Sequence, residues 1–256
     1  MKKSFIYIAA LRRTGSKVLS EALSLHPYSF IFLEPRLGSG AFKIKNAEVE
    51  IFAKYGIDLL AFQDQISKVN RKLSVEYFKN ELMPKLLQVF SQIGIKEIHH
   101  KYWKSVYNTF PDMKIVLTAR DPRDIYLSLY HKSIERNKEI RVEGGFTPQN
   151  LVLNLKEDFE YQMEMFNTTR CLKVKYEDFC TDRMVYEQVK AFVESDIPAI
   201  GMVGHLSKHD HLIHGYEVTD KRVYRWKCEI NKQLLLEAQE VFDNLKDYCR
   251  FWGYEK

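Results

Sequence analysis

Cysteine, glycine and proline are scarce in this sequence of 256 residues, and each scarcity excludes a class of protein. The four cysteines lie in the last third of the chain, without a CxxC pair or the spacing of metal ligands. They predict free thiols in a reducing compartment, so a cytoplasmic protein is expected. Eleven glycines and seven prolines are too few for a collagenous or low-complexity chain.

Long hydrophobic runs are missing as well. No stretch approaches the roughly 20 apolar residues that cross a bilayer, so no membrane span is expected. The apolar run after Lys3 ends at Arg12 after about seven residues, which is short for a signal peptide, and no small-residue cleavage site follows. A buried first strand explains this run better.

Charge of one sign is not concentrated anywhere. The 39 basic and 34 acidic residues are interleaved and leave a formal charge of +5. A nucleic-acid-binding protein usually carries a concentrated basic stripe, so no nucleic-acid partner is expected, and a small anionic ligand fits better. With 45% hydrophobic residues, no internal repeat and no linker, the chain is predicted to form a single domain over residues 1–256.

Apolar runs of strand length alternate with segments of helical periodicity. Strands are predicted at 5–10, 30–33, 95–100, 114–119 and 171–176, and helices at 17–25, within 46–93, and at 121–135, 148–166, 183–194 and 228–251. Residues 137–147 are the best candidate for a lid, and 200–219 is predicted as a loop. This alternation indicates an α/β fold with a mostly parallel sheet and helices on both faces. Ligands bind such sheets at the carboxyl ends of the strands.

The segment between the first strand and the first helix has the composition of a phosphate-binding loop. Backbone N–H groups entering a helix are unpaired, and the helix dipole favours an anion there. The candidate ligands are Arg12, Arg13, Thr14, Gly15, Ser16 and Lys17. An ordinary strand–helix turn explains this segment alone equally well. The G-x-x-x-x-G-K-[ST] pattern of a magnesium-dependent nucleotidase is absent.

A second segment repeats the arrangement of strand, basic residue and helix. Arg120 ends the predicted strand at 114–119, and Ser128 follows eight residues later, about two helical turns on and facing the same side. The alternative is an Arg at a strand end that pairs only with Asp121 or Asp124.

Together these segments resemble the sulfotransferases that use 3′-phosphoadenosine 5′-phosphosulfate (PAPS). The loop through Arg13 and Gly15, followed by His26-Pro27 and Glu34-Pro35, is similar to the family's 5′-phosphosulfate segment. A loop with Arg rather than Lys at this place is most similar to that of the carbohydrate or Golgi-type branch. Further matches, in family order, are Arg120 with Ser128, the segment 173–179, Arg225-Trp226-Lys227 and Gly253-Tyr254.

The resemblance implies a P-loop-like sulfotransferase fold, PAPS as donor and 3′-phosphoadenosine 5′-phosphate (PAP) as product, with no metal. It implies that residues 13–17 bind the 5′ end of the donor. It also implies that Arg13 neutralises the charge on the bridging oxygen. It assigns binding of the 3′-phosphate to Arg120 and Ser128. It also implies that Tyr176 contacts the adenine, and the alternative is that Tyr176 is a core residue. The 3′-phosphate site is expected to receive further positive charge from Lys221, Arg222 or Arg225. The acceptor is expected to be a hydroxyl compound, either a small molecule or a carbohydrate.

Two groups compete for the role of the base that receives the acceptor's proton. Glu34 follows the second strand, and its alternative is a salt bridge to Arg36. His99 or His100 ends the third predicted strand, where alternation would place only one of them toward the site. Glu34 is favoured, with His100 as the rival and Lys101 and Arg36 as charge partners.

Two other functions remain open at this point. A nucleotide or small-molecule kinase would require a complete phosphate-binding motif and a strand-end Asp for magnesium, and neither is evident. A non-catalytic relative that keeps the nucleotide pocket would lack the base. Because the base is not settled among Glu34, His99 and His100, the non-catalytic alternative stays open.

Overall fold

The predicted first strand is the centre of the sheet. In the computed structural model, which describes residues 3–136, 145–198 and 219–255, it is β1 (Ile6–Ala10), and all five of its residues are buried. Ile6 and Ile8 pack into a core on one face, whereas Tyr7 and Ala9 belong to a larger core on the other. Burial on both faces explains why this run is continuously apolar.

Four further strands lie parallel to β1. They are β2 (Ser29–Leu33), β3 (Gln92–Glu97), β4 (Lys114–Ala119) and β5 (Cys171–Lys175). The order across the sheet is β2-β3-β1-β4-β5, and every neighbouring pair is parallel. The predicted α/β architecture with a parallel sheet is confirmed.

Helices cover both faces of this sheet. They are α1 (Ser16–Ala22), α2 (Asn46–Ala53), α3 (Leu59–Lys68), α4 (Ser74–Tyr77), α5 (Met83–Leu86), α6 (Trp103–Thr109), α7 (Pro122–Arg136), α8 (Pro148–Thr168), α9 (Tyr176–Thr181), α10 (Arg183–Val193), α11 (Lys232–Asp243) and α12 (Lys246–Trp252). A π-helical turn, Phe78–Leu82, joins α4 to α5. Side chains of α1, α9 and α10 form the smaller core, and most of the other helices contribute to the larger one.

Two predicted elements differ from the structure, and the helices α6 and α9 have no predicted counterpart. The strand predicted at 95–100 ends at Glu97, so the two histidines lie beyond it. The single helix predicted at 228–251 is two helices, because Leu245 turns inward and is buried while the Asn244 side chain bonds the Glu240 carbonyl and closes α11. Most of the lid predicted at 137–147 and of the loop predicted at 200–219 lies outside the described residues, at 137–144 and 200–218.

The connections after β1 and β4 leave the sheet on opposite faces. Leu19 and Leu23, which follow β1, pack into the smaller core. Ile125 and Leu127 of α7, which follow β4, pack into the larger core. Because β1 and β4 are neighbours, their diverging connections open a crevice at the carboxyl ends of the two strands, where ligands of such sheets bind.

The buried carboxyl group of Glu48 accepts backbone hydrogen bonds at the end of the edge strand β2. The Leu33 N–H donates to Glu48 Oε1 at 2.8 Å, and the Lys45 N–H at the start of α2 donates to Oε2 at 2.7 Å. Burial raises the pKa of Glu48 to about 7 even though both hydrogen bonds act in the opposite direction. Glu48 thereby holds the backbone of β2 in place immediately before Glu34.

Candidate active site

The loop after β1 contains two residues in the left-handed backbone region. Arg13 has φ 67° and Gly15 has φ 70°, with Thr14 between them. Alternation of this kind turns successive N–H groups toward one side and forms a concavity that favours anions. The buried Thr14 hydroxyl donates to the Leu11 carbonyl at 2.8 Å and lies 2.8 Å from the Thr118 hydroxyl oxygen. Thr14 thus fastens the loop to β4.

Gly15 lies directly against the ring of Tyr176 at the start of α9. A Cβ atom built on Gly15 would lie 2.0 Å from Tyr176 Cδ2, so no side chain fits there without displacing the ring. The guanidinium carbon of Arg120 lies 4.6 Å from the centroid of the same ring, and Tyr176 is buried. Gly15, Tyr176 and Arg120 therefore form one packed unit at the ends of β1, β4 and β5.

The two segments predicted to hold opposite ends of the donor meet in the crevice. Arg13 Nε donates to the Ser128 hydroxyl at 2.9 Å, and Arg120 Nη1 lies 3.5 Å from the Arg13 carbonyl oxygen. The structure therefore brings together the predicted residues Arg13, Gly15, Arg120, Ser128 and Tyr176. Ser16 is buried at the start of α1 in the same region.

Arg120 is almost fully buried, and its backbone is held from both sides. The Tyr248 hydroxyl accepts from the Arg120 N–H at 3.1 Å and donates to the Arg120 carbonyl at 2.9 Å. Nη2 donates to the Asp124 carboxylate at 3.2 Å and to the carbonyl of Arg222. Within the part of the chain that the structure describes, Nε has no hydrogen-bond partner. Arg120 thus keeps a buried donor that an anion in the crevice could satisfy.

The neighbouring residues of these motifs form an internal network. Glu177 Oε1 accepts from the Asp121 N–H, and Oε2 accepts from the Tyr254 hydroxyl, both at 2.8 Å. The Arg123 guanidinium donates to both oxygens of Asp121 and lies 3.8 Å from the centroid of the Trp226 ring. The network joins the segments after β4 and β5 to the C-terminal region, and so it supports Arg120.

The C-terminal basic residues that were expected at the 3′-phosphate site lie in two short 3-10 turns. Lys221 and Arg222 belong to Asp220–Arg222, and Arg225 belongs to Arg225–Cys228. All three side chains are exposed. The Arg222 carbonyl accepts from Arg120 Nη2, so the first of these turns lies against the crevice.

Glu34 forms an ion pair with a lysine that sequence reasoning did not single out. Lys96 Nζ donates to Glu34 Oε1 at 2.5 Å, and only 2% of the Lys96 side chain is exposed. Partial burial alone would raise the pKa of Glu34, but the charge and hydrogen bond of Lys96, together with the charges of Lys17 and Lys45, lower it. Lys96, rather than Arg36, is the ion-pair partner of Glu34, so the alternative considered from sequence is wrong.

His100 is buried, and both of its ring nitrogens face protein atoms. Nε2 lies 3.0 Å from the Ala10 carbonyl oxygen and Nδ1 lies 3.3 Å from the Tyr7 hydroxyl. Because a carbonyl only accepts, Nε2 carries the proton and Nδ1 accepts from Tyr7. Burial lowers the pKa of His100 to about 4, so the ring is neutral at neutral pH. Its remaining basic nitrogen is occupied.

His99 lies nearer the surface. Its Nε2 is 3.0 Å from Arg36 Nη2, so it accepts from the guanidinium, and partial burial together with the Arg36 charge lowers the pKa of His99. Both histidines border the same cavity. The strand alternation that was expected to place only one of them toward the site does not apply, because the strand ends at Glu97.

This cavity lies next to the loop and has a volume of about 400 Å³. Lining residues from the loop, β3, α8 and the segment after β3 include Arg12, Glu97, Lys101, Tyr102, Asp158 and Tyr161. Burial raises the pKa of Asp158 to about 7, and the charge of Arg12 acts in the opposite direction. Arg12 therefore belongs to the cavity, whereas Arg13 belongs to the crevice.

Sequence reasoning missed Lys96, Glu97 and Asp158. A lysine and a glutamate inside a buried strand were the available signal for the first two. Asp158 gave no signal, because one acidic residue on an amphipathic helix looks like its exposed neighbours. Three metal-ligating side chains suitably placed for a metal ion do not occur within residues 3–136, 145–198 and 219–255. Among the same residues no helix has the length and apolar character needed to cross a membrane.

Comparison with known proteins identifies the family. The family model described as "Sulfotransferase family" matches residues 6–188, from β1 into α10, and the chain belongs to this family. No curated protein sequence matches the chain significantly. The sulfotransferase assignment made from the motifs is therefore confirmed, and the carbohydrate or Golgi-type branch stays a prediction.

Solved structures share the fold over nearly the whole chain. The sulfotransferase domain of the Synechococcus PCC 7002 olefin synthase has a TM-score of 0.65 and 14% identity, with 96% of each chain covered. A sulfotransferase from Alicyclobacillus acidocaldarius has a TM-score of 0.55 and 14% identity and covers 100% of this chain and 98% of that one. A mouse sulfotransferase complexed with PAP has the same TM-score and identity, with 100% and 90% covered.

Proposed function

We propose that this protein transfers a sulfonate group from PAPS to the hydroxyl of a small-molecule or carbohydrate acceptor and leaves PAP. The observation that carries the proposal is the meeting of Arg13, Ser128 and Arg120 in the crevice between β1 and β4. Two anion-binding segments at a fixed separation suit a nucleotide with a phosphosulfate at one end and a phosphate at the other. The mouse relative in complex with PAP supports the same class of nucleotide.

The 5′ end of the donor is assigned to the loop. The concavity at residues 13–15 offers backbone N–H groups, while Ser16 and Lys17 lie at the start of α1. Arg13 is assigned to the charge that develops on the bridging oxygen. Its guanidinium stays protonated at every working pH, so it stabilises that charge and does not act as an acid.

The 3′-phosphate is assigned to Arg120 and Ser128, with Arg222 and Arg225 contributing charge from the C-terminal turns. The buried Nε of Arg120 and the Ser128 hydroxyl are the two donors that support this assignment. The ring of Tyr176 packs against both Gly15 and Arg120 and so holds these two residues in position. Contact of Tyr176 with the adenine remains part of the proposal.

The base is assigned to Glu34. Its lowered pKa keeps the carboxylate ionised at neutral pH, and the bond to Lys96 fixes its orientation. The acceptor is placed in the cavity beside Arg12 and His99; Glu34 does not line this cavity but lies close enough to His99 to affect its pKa. His100 is assigned a positioning role, because it holds the Ala10 carbonyl at the end of β1 and the hydroxyl of Tyr7.

We also propose that residues 1–256 form one domain and that the protein works in the cytoplasm. Among the described residues one sheet has a core on each face, which supports the first point. The four free cysteines support the second, because thiols persist in a reducing compartment.

Calorimetry with PAP, and separately with ATP plus magnesium, tests the donor assignment directly. The proposal expects binding of PAP without added metal and transfer of label from radiolabelled PAPS to an acceptor. Binding of ATP only with magnesium, and no binding of PAP, would contradict the proposal and favour a kinase.

A further inference from the structure

Gln162 on α8 is completely buried, and its side-chain amide contacts two strands of the sheet. Nε2 donates to the Ala9 carbonyl of β1 at 3.0 Å and to the Thr118 carbonyl of β4 at 3.1 Å. These two strands are neighbours, and the crevice opens at their carboxyl ends. One amide group therefore joins the two strand ends that border the proposed donor site.

The rest of the buried face of α8 is apolar. The helix is described over its whole length, and the other residues that it buries are Leu151, Val152, Leu155, Phe159 and Met165. The Oε1 atom of Gln162 is also buried and has no hydrogen-bond partner among the residues that the structure describes. An apolar side chain would avoid the free-energy cost of this unpaired oxygen. The two hydrogen bonds from Nε2 therefore explain why this position is polar.

Both carbonyl groups lie shortly before segments that are assigned to the donor. Ala9 precedes the loop that contains Arg13, and Thr118 precedes Arg120 by two residues. Thr118 also contacts the loop directly, since its hydroxyl oxygen lies 2.8 Å from that of Thr14. A shift of either strand end would therefore change the distance between the two anion-binding segments.

We propose that Gln162 is a positioning residue, which sets the separation of the 5′ and 3′ anion-binding segments by holding the ends of β1 and β4 through one amide. The inference rests on the proposed sulfonate transfer and adds a residue that acts through the strands rather than on the donor. A nucleotide with phosphates at both ends gains affinity from the second phosphate only if both segments bind it at once. Loss of the amide should reduce this gain and leave each segment able to bind a single phosphate.

The test compares PAP with adenosine 5′-phosphate and adenosine 3′-phosphate, which each carry a phosphate at one end only. Calorimetry gives the Kd of each nucleotide. The Kd of the tighter single-phosphate nucleotide divided by the Kd of PAP is called the bisphosphate ratio. In Gln162→Met, whose side chain has a similar volume and no donor, the bisphosphate ratio should fall about tenfold. The Kd values of the single-phosphate nucleotides should stay within about threefold of wild type.

Gln92 at the start of β3 provides a matched control at the opposite end of the sheet. It is buried, and its Nε2 donates to the carbonyls of Ser4 and Val193, both at 2.8 Å. Its Oε1 is also buried without a hydrogen-bond partner in the described part of the chain. Gln92→Met should therefore lower stability in the same way as Gln162→Met and leave the bisphosphate ratio unchanged. A ratio that falls equally in both variants, or in neither, would overturn the positioning role of Gln162.

A second variant keeps the test decisive if Gln162→Met fails to fold. Gln162→Glu has nearly the same shape, and burial favours its neutral form, whose single O–H donates to only one of the two carbonyls. The bisphosphate ratio should fall at least about threefold in this variant, and a wild-type ratio in the folded variant would overturn the proposal. Wild-type protein that binds PAP no more tightly than adenosine 5′-phosphate would be a separate result, since it contradicts the proposed donor site and not only the role of Gln162.

Discussion

Arg13 Nε donates a hydrogen bond of 2.9 Å to the hydroxyl of Ser128, across 115 positions of the chain. One residue belongs to the loop after β1 and the other to the helix after β4. Because these connections diverge to opposite faces of the sheet, the bond spans the crevice between them. The two halves of the proposed donor site are therefore held in contact by their own side chains.

Ser128→Ala should weaken PAP binding about tenfold, because a hydroxyl that donates to a phosphate and holds Arg13 is lost. Calorimetry with PAP measures the effect. Ser133→Ala is the control on the same helix, since its hydroxyl bonds only the Tyr130 carbonyl in the described structure. Equal PAP affinity in both variants would remove Ser128 from the donor site.

Arg120→Ala should abolish measurable PAP binding, because it removes the buried guanidinium that bears the charge at the 3′-phosphate. The loss should exceed that of Ser128→Ala, since hydrogen bonds to charged groups are the stronger kind. Circular dichroism establishes whether the variant folds, and Arg250→Ala, an exposed arginine paired with Asp247, is the control. A folded Arg120→Ala protein with wild-type affinity would refute the assignment.

Much of this site could be predicted from the sequence, because the patterns that indicate it involve residues close together along the chain. The apolar run at 6–10, the glycine of the loop and the eight-residue spacing from Arg120 to Ser128 each depend on neighbours along the chain. The Glu34–Lys96 pair and the Glu97–Arg36 contact depend on how β2 and β3 align, which no local pattern specifies. The histidines were misplaced because the end of β3 was predicted three residues too late.

Gly15→Ala should destabilise the fold and also weaken PAP binding. A left-handed backbone costs any other residue about 1 kcal/mol, and here the new Cβ also displaces Tyr176. Gly56→Ala is a matched control, because Gly56 has φ +71° and no atom lies within 4 Å of its Cβ position. Thermal unfolding should show a larger loss for Gly15→Ala, and only that variant should lose PAP affinity. Equal effects on stability would mean that the Tyr176 contact does not matter.

Glu34→Gln should lower turnover at least about a hundredfold, because a neutral amide cannot take the acceptor's proton. PAP affinity should be retained, since the Lys96 and Lys17 charges remain. Steady-state turnover and calorimetry are compared with those of Glu50→Gln, an exposed acid on α2. If turnover survives in Glu34→Gln and disappears in His100→Ala, the base is the histidine.

Stability should fall as the pH rises from about 6.5 to 8, and Glu97 should account for part of that fall. Its folded pKa of about 8 lies above the ordinary 4.5, so the folded state holds this proton more tightly than the unfolded state. The stabilisation is complete below pH 4.5 and is lost as the pH rises through 8. Glu48, with a pKa of about 7, acts in the same direction.

His100 determines which pH window is informative for this prediction. Its folded pKa of about 4 lies below the ordinary 6.5, so it destabilises the fold as the pH drops below 6.5 and opposes the carboxyl groups there. Between pH 6.5 and 8, Glu97→Gln should reduce the decline in unfolding free energy by roughly 2 kcal/mol, because an amide does not ionise. Chemical denaturation at several pH values measures this, with Glu160→Gln as control. A decline as steep in Glu97→Gln as in wild type would show that Glu97 is already ionised in the folded protein.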